Sequence, residues 1–164
     1  MARAEAIQRL GTIRTGQAVF AVAAVLVFAA DRVSKAMVAS SIPLGQEVTA
    51  VDHLLWITHV QNSGAAFGLA PFGSVFFLVV SIVVAIALVV YVAREGGSAY
   101  TDTMLGLVLG GTVGNGYDRV LHGSVTDFFA VHWWPVFNVA DSAISTGVVL
   151  LVLAQLFRRQ PAGG

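Results

Sequence analysis

The sequence contains no cysteine, and only 11% of its 164 residues are charged. Without cysteine there are no disulfides, no thiolate metal site and no cysteine nucleophile. Nor can the chain carry a lipid on an N-terminal cysteine of its own. Lysine occurs once, at Lys35. A soluble domain carries roughly a quarter charged residues, so this composition excludes an ordinary soluble fold. Formal net charge is zero, which speaks against nucleic acid as a partner. The four histidines, His53, His59, His122 and His132, show no HExxH or other ligand spacing, so no metal site is expected; the two-carboxylate chemistry considered below needs no cofactor either. What is abundant is apolar: 57% of the residues are hydrophobic and the mean hydropathy is +0.81. One compact membrane bundle fits those values.

Residues 1–15 are polar and carry Arg3, Arg9 and Arg14 ahead of the first apolar run. That start resembles a signal peptide, but the run continues through Asp31–Lys35 with no separate domain opening after it. It is therefore expected to be a retained transmembrane helix over about 16–39, preceded by a cytoplasmic segment. The stretch 40–71 is rich in β-branched residues and turn formers, and LLWITHV followed by QNSG predicts a small β element outside the hydrocarbon. Further helices are expected at about 72–93, 101–121 and 138–157, with an outer connector over 122–137 and a cytoplasmic tail at 159–164. The fold class is thus an all-α membrane bundle of four transmembrane helices, a single domain over 16–158 with a small extracytoplasmic β element. Gly106, Gly110 and Gly114 recur every four residues and predict a smooth packing face on the third helix.

Four helices place both termini on one side. Arg3, Arg9, Arg14, Arg94, Arg158 and Arg159 fall there, against Arg32, Lys35 and Arg119 opposite, so the positive-inside rule puts both termini in the cytoplasm. The polar residues able to do chemistry then gather at the outer leaflet. Asp127 and Asp141 stand among Phe128, Phe129, Trp133, Trp134 and Phe137. Carboxylates in such company must be paired, hydrogen-bonded or protonated, and two together tend to share one proton.

Each also has a plainer reading. Asp141 lies three residues after Asn138 and suits a helix cap; Asp127 suits an ion pair with Arg119. Asn115, Asp118 and Arg119 occupy neighbouring turns of one helix, with Asn115 and Arg119 as orienting groups. Asp31 and Lys35 are spaced for an interfacial salt bridge. His132, Trp133 and Trp134 have the composition of an interfacial aromatic anchor. A serine–lysine pair built on Lys35 with Ser34 or Ser63 is weaker, because Ser34 adjoins Lys35 on the helix. A transporter would place its polar residues at mid-membrane and often show repeats; neither is present. A purely structural protein would leave these polar blocks converging on one leaflet without a purpose.

Five blocks in order are Asp31-Arg-Val-Ser-Lys35, Asn62-Ser-Gly-Ala-Ala-Phe67, Gly114-Asn-Gly-Tyr-Asp-Arg119, Val125-Thr-Asp-Phe128 and Phe137-Asn-Val-Ala-Asp-Ser142. Together they resemble the motif set of the lipoprotein signal peptidase (signal peptidase II) family; Gly68 stands where a serine is expected. The resemblance implies a multi-pass aspartic endopeptidase of the bacterial cytoplasmic membrane. It would cut prolipoproteins just before the diacylglyceryl-modified cysteine, with substrate and membrane lipid as partners, and act as a monomer. It also implies Asp127 and Asp141 as the catalytic pair. Asn62, Asn115, Arg119, Asn138 and Ala140 would contact substrate, and Asp31, Lys35, Asp118 and Gly64 would support the site.

Overall fold

The structure is a computed structural model and describes residues 2–64 and 73–158. Four helices, α1 (Ala2–Ser41), α2 (Gly73–Arg94), α3 (Ala99–His122) and α4 (Val139–Arg158), carry a four-stranded sheet. Its strands are β1 (Glu47–Val51), β2 (Leu55–Asn62), β3 (Val125–Val131) and β4 (Trp134–Phe137). Among the described residues, three helical stretches are long and apolar enough to cross a membrane: Thr15–Ser41, Gly73–Arg94 and Val139–Phe157.

The third helix differs from these because of where it sits. α3 packs against α1, α2 and α4, and much of its surface is covered by protein. A helix enclosed by its neighbours needs no continuous apolar coat. Its glycines allow that enclosure. A Cβ at Gly106 would fall 2.5 Å from the Phe20 carbonyl oxygen, and one at Gly110 would fall 2.5 Å from that of Ala24. The four-residue glycine repeat is therefore the seam on which α1 lies. Ser98 caps the start of α3 by accepting from the Thr101 N–H at 3.2 Å, and Gly123, at φ 69°, ends it in the left-handed region.

Two expectations are corrected. Residues 2–15, expected as a polar segment ahead of the first helix, are helical and continue α1, whose membrane-length part is Thr15–Ser41. AEAIQRL consists mainly of good helix formers, so its polarity did not break the helix. The span 122–137 is not a plain connector either, because it holds β3 and β4. The sheet has the order β1-β2-β3-β4, antiparallel throughout. VTDFFAV is strand-like in composition, and pairing with β2 satisfies backbone groups that a loose loop at a membrane surface would leave unpaired. Residues Ala65–Phe72 and the 159–164 tail, including the Gly68 departure and the first residue of the expected second helix, lie outside the described residues.

The register puts Asn62 opposite Val125 and Val60 opposite Asp127 at the helix-joined end of the sheet. There the chain enters from α1 and α3 and leaves into α4. Asp127 is thereby brought against the start of α4.

Candidate active site

Four charged side chains form a closed set beneath the sheet. Lys35 Nζ lies 3.0 Å from Asp31 Oδ2 and 2.8 Å from Asp118 Oδ2. Arg32 bonds Asp31 at 2.8 Å and also bonds Asp118, with its guanidinium 5.0 Å from the centre of the Tyr117 ring. The expected Asp31–Lys35 pair therefore exists, but buried among helices rather than exposed at the headgroups. Gly114 makes this possible: a Cβ there would lie 2.7 Å from Asp31 Oδ2. Two acids and two cations compensate one another, as buried charges must.

Asp127 and Asp141 have no such compensation. Among the described residues neither forms an ion pair; their donors are neutral amides. Asp127, 3% exposed on β3, accepts from Asn62 Nδ2 at 2.9 Å and from Asn138 Nδ2 at 2.7 Å. Asp141, in the first turn of α4, accepts from Asn115 Nδ2 at 2.7 Å and from the Asn138 backbone N–H at 3.2 Å. Its own N–H donates to Asn138 Oδ1 at 2.9 Å, completing a reciprocal cap. The capping reading is thus realised, and the capping residue is also the amide that touches the second acid. Burial, reinforced by the charge of Asp141, pushes the Asp127 carboxyl up to about 6 against the pull of Asn62 and Asn138.

The amides are themselves oriented. Lys35 Nζ donates to Asn115 Oδ1 at 2.9 Å, and Asn138 Nδ2 reaches the same oxygen at 3.1 Å. With its oxygen held by these donors, Asn115 must turn its NH2 towards Asp141. On the other side, Gly64, at φ 81°, donates its N–H to Asn62 Oδ1 at 2.8 Å, so the Asn62 NH2 faces Asp127.

Nine of the eleven expected site residues meet here: Asp31, Lys35, Asn62, Gly64, Asn115, Asp118, Asp127, Asn138 and Asp141. Ala140 is 0% exposed; its N–H donates to Asp31 Oδ1 at 3.2 Å, and it packs α4 on α3 rather than facing an opening. Arg119 does not pair with Asp127 or with Asp118, which Lys35 and Arg32 already occupy. Its Nη1 donates to the Asn115 carbonyl at 3.4 Å and its guanidinium lies 5.3 Å from the centre of the Phe77 ring. Sequence reasoning missed Arg32 as a buried partner, Phe77 as the ring beside Arg119, and Thr126, whose carbonyl accepts from Asn138 at 3.4 Å. It also missed Asp102, buried at the far end of α3, where it accepts the Gly97 N–H at 3.2 Å. The adjacency of Arg32 to Asp31 was the one local signal.

The sequence pattern of the Signal peptidase (SPase) II family matches residues 23–157. The chain belongs to that family. It is therefore a peptidase of a bacterial membrane-enzyme family. It is 44% identical over 131 residues to the lipoprotein signal peptidase of Syntrophomonas wolfei, an overlap of 80% of this chain and 88% of that one. With the lipoprotein signal peptidase of Pseudomonas aeruginosa it shares 40% identity over 149 residues, covering 85% and 88%. A solved bacterial membrane enzyme superposes with a TM-score of 0.77 at 32% identity, covering 85% of this chain and 92% of the other.

Proposed function

We propose that Asp127 and Asp141 are the catalytic pair with which this signal peptidase removes signal peptides from prolipoproteins. The observation supporting the pair is its unshared charge: the cations nearby are taken by Asp31 and Asp118, leaving two buried carboxyls on amide donors alone. Such a pair retains one proton. The ionised member takes a proton from water as the water oxygen attacks the scissile carbonyl carbon, and the protonated member donates to the carbonyl oxygen. When the tetrahedral intermediate collapses, the C–N bond breaks and a proton passes to the leaving amine. The two acids titrate as a unit. Asn62, Asn115 and Asn138 hold them in place. Arg119, beside Phe77 and without an acid partner among the described residues, is free to meet the substrate backbone, and Ala140 contributes close packing behind the pair.

The bond cut is the one before the diacylglyceryl-modified cysteine. α3 is the fourth crossing: 24 residues span about 36 Å, enough for the hydrocarbon layer. Both termini then lie in the cytoplasm and the pair faces the outer leaflet of the cytoplasmic membrane, where a lipid-bearing precursor arrives by lateral diffusion. One chain holds every group the reaction needs and acts as a monomer. Two precursors, one diacylglyceryl-modified and one bare, test the substrate reading by product mass. Cleavage of the modified precursor alone, with the lipidated cysteine as the new N-terminus, is the expected result; equal cleavage of both contradicts it.

A further inference from the structure

β2 and β3 do not keep one register along their length. Ile57 pairs with Phe129 but Val60 pairs with Asp127, so Thr58 and His59 together stand against Phe128. This is a β-bulge, with the extra residue on β2. Its effect on the site follows from the alternation of side chains along a strand. Without the bulge, the pairing of Ile57 with Phe129 would carry on to set Val60 opposite Thr126. Asn62 would then turn to the face away from Asp127. With the bulge, Asn62 pairs with Val125, shares the face of Asp127, and its Nδ2 reaches Asp127 Oδ2 at 2.9 Å.

A bulge takes backbone groups out of the ladder, and these need other partners. Here the connection after α1 supplies them. The His59 N–H donates to the Gln46 carbonyl at 3.1 Å, and the His59 carbonyl accepts from the Gly45 N–H at 2.8 Å. Thr58 Oγ1 donates to the same Gln46 carbonyl at 3.0 Å. The imidazole reaches further: His59 Nδ1 donates to the Ile42 carbonyl, 2.8 Å away just past the end of α1. No intrahelical N–H serves a carbonyl at that position. Thr58 and His59 are both buried, and His59 Nε2 has no partner among the described residues. The polar contact of the ring is therefore its bond to α1.

α1 also orients the donor to the other acid, since Lys35 holds Asn115 Oδ1 and the Asn115 NH2 donates to Asp141. One helix thus governs both sides of the pair, Asn115 through Lys35 and Asn62 through the bulge.

We propose that His59 is a positioning residue for peptide cleavage: by bonding the β2 bulge to the end of α1, it keeps Asn62 aimed at Asp127. It bonds neither acid and acts through Asn62. The proposal rests on Asp127 and Asp141 being the catalytic pair.

The full chain in detergent is assayed across pH on a synthetic diacylglyceryl-modified prolipoprotein, with the folded fraction measured for each variant. His59→Leu, His59→Asn, Asn62→Ala and His59→Leu/Asn62→Ala are compared with wild type. Leucine fills space without a donor, whereas asparagine carries an N–H donor on Cγ, as the imidazole does. The Asn62 bond favours the ionised form of Asp127, so its loss moves the pH profile of kcat/KM to higher pH. The other charges acting on Asp127 are Asp141 on α4, Lys35 on α1 and Arg119 on α3, and these variants alter none of them.

His59→Leu is expected to lose roughly 10- to 100-fold in kcat/KM per folded molecule. Its profile should move as that of Asn62→Ala does, while His59→Asn stays near wild type. The double variant should be no slower than Asn62→Ala alone, because both changes remove the same contact. An unmoved profile in His59→Leu overturns the proposal, as does a His59→Asn equally impaired. Additive losses in the double variant overturn it too, since His59 then acts otherwise than through Asn62. Where His59→Leu does not fold, His59→Ala takes its place; failure of both to fold makes the ring a purely structural element and contradicts the assignment. Asp127→Asn in the same assay separates the two readings. Cleavage by that variant sinks the catalytic pair and the proposal with it, whereas its inactivity beside an unaffected His59→Leu sinks the proposal alone.

Discussion

Asn138 donates its side-chain amide to Asp127 at 2.7 Å while its backbone N–H donates to Asp141 at 3.2 Å, so a single residue is bonded to both acids. It is 0% exposed and caps α4 through the Asp141 N–H. Asn138→Ala removes the cap and leaves a buried carboxylate short of a donor. The expected loss is about 2–4 kcal/mol of stability, with kcat/KM down by roughly 100-fold from misplacement of the pair. Chemical unfolding and cleavage kinetics on the same preparation check both.

The raised Asp127 carboxyl makes stability depend on pH with a definite sign. Its usual value is 3.8 and the folded value is about 6, so between these the folded state binds its proton more tightly than the unfolded state. Stability from this group therefore falls as pH rises from about 4 to about 6 and is level above that. The change across the window is about 3 kcal/mol. Unfolding measured against pH in one detergent should follow that slope, and Asp127→Asn should flatten it.

Asp127→Asn should also leave the protein folded at neutral pH. It relieves a buried charge, but its NH2 must face one of two donors, Asn62 Nδ2 or Asn138 Nδ2, at a cost of about 1–3 kcal/mol. The two effects are similar in size and opposite in sign. A melting temperature within a few degrees of wild type is expected, and gross unfolding would contradict this balance.

Lys35→Met removes one cation from a neutral set of four and frees the Asn115 oxygen. Breaking a buried pair on one side costs about 3–5 kcal/mol. Adding Asp118→Asn removes one unmatched charge and should recover part of the loss. A double-mutant comparison of unfolding free energies measures that recovery.

Gly110→Val pushes a branched side chain into the Ala24 carbonyl, and α1 and α3 must separate. Overpacking of this kind costs about 1–3 kcal/mol. The expected result is a lower melting temperature, with residual activity falling only as the folded fraction falls.

Much of the framework was legible in the sequence because its signals are local. The strand character of LLWITHV, the charge-free run of α2, the glycine repeat of α3 and the Asn138–Asp141 spacing each report on a single element. What escaped was long-range. Arg32 and Asp118 are 86 positions apart, and no spacing rule joins them. The pairing of β2 with β3 likewise depends on α3 folding back, so VTDFFAV read as a connector. Asp127 and Asp141 stand out in the sequence because acids among aromatics are conspicuous. Their exclusion from the ion-pair set could be seen only once Lys35 and Arg32 had been located. The ion pair with Asp127 that the position of Arg119 also allowed does not form: the guanidinium turns to Phe77 and the acids keep their amide donors.

The measurement that bears most directly on the account is cleavage of a synthetic diacylglyceryl-modified prolipoprotein by wild type, Asp127→Asn and Asp141→Asn, each verified as folded. Cleavage by wild type and none by either variant is the predicted result. Cleavage that survives either substitution contradicts the pair and returns that aspartate to a structural role.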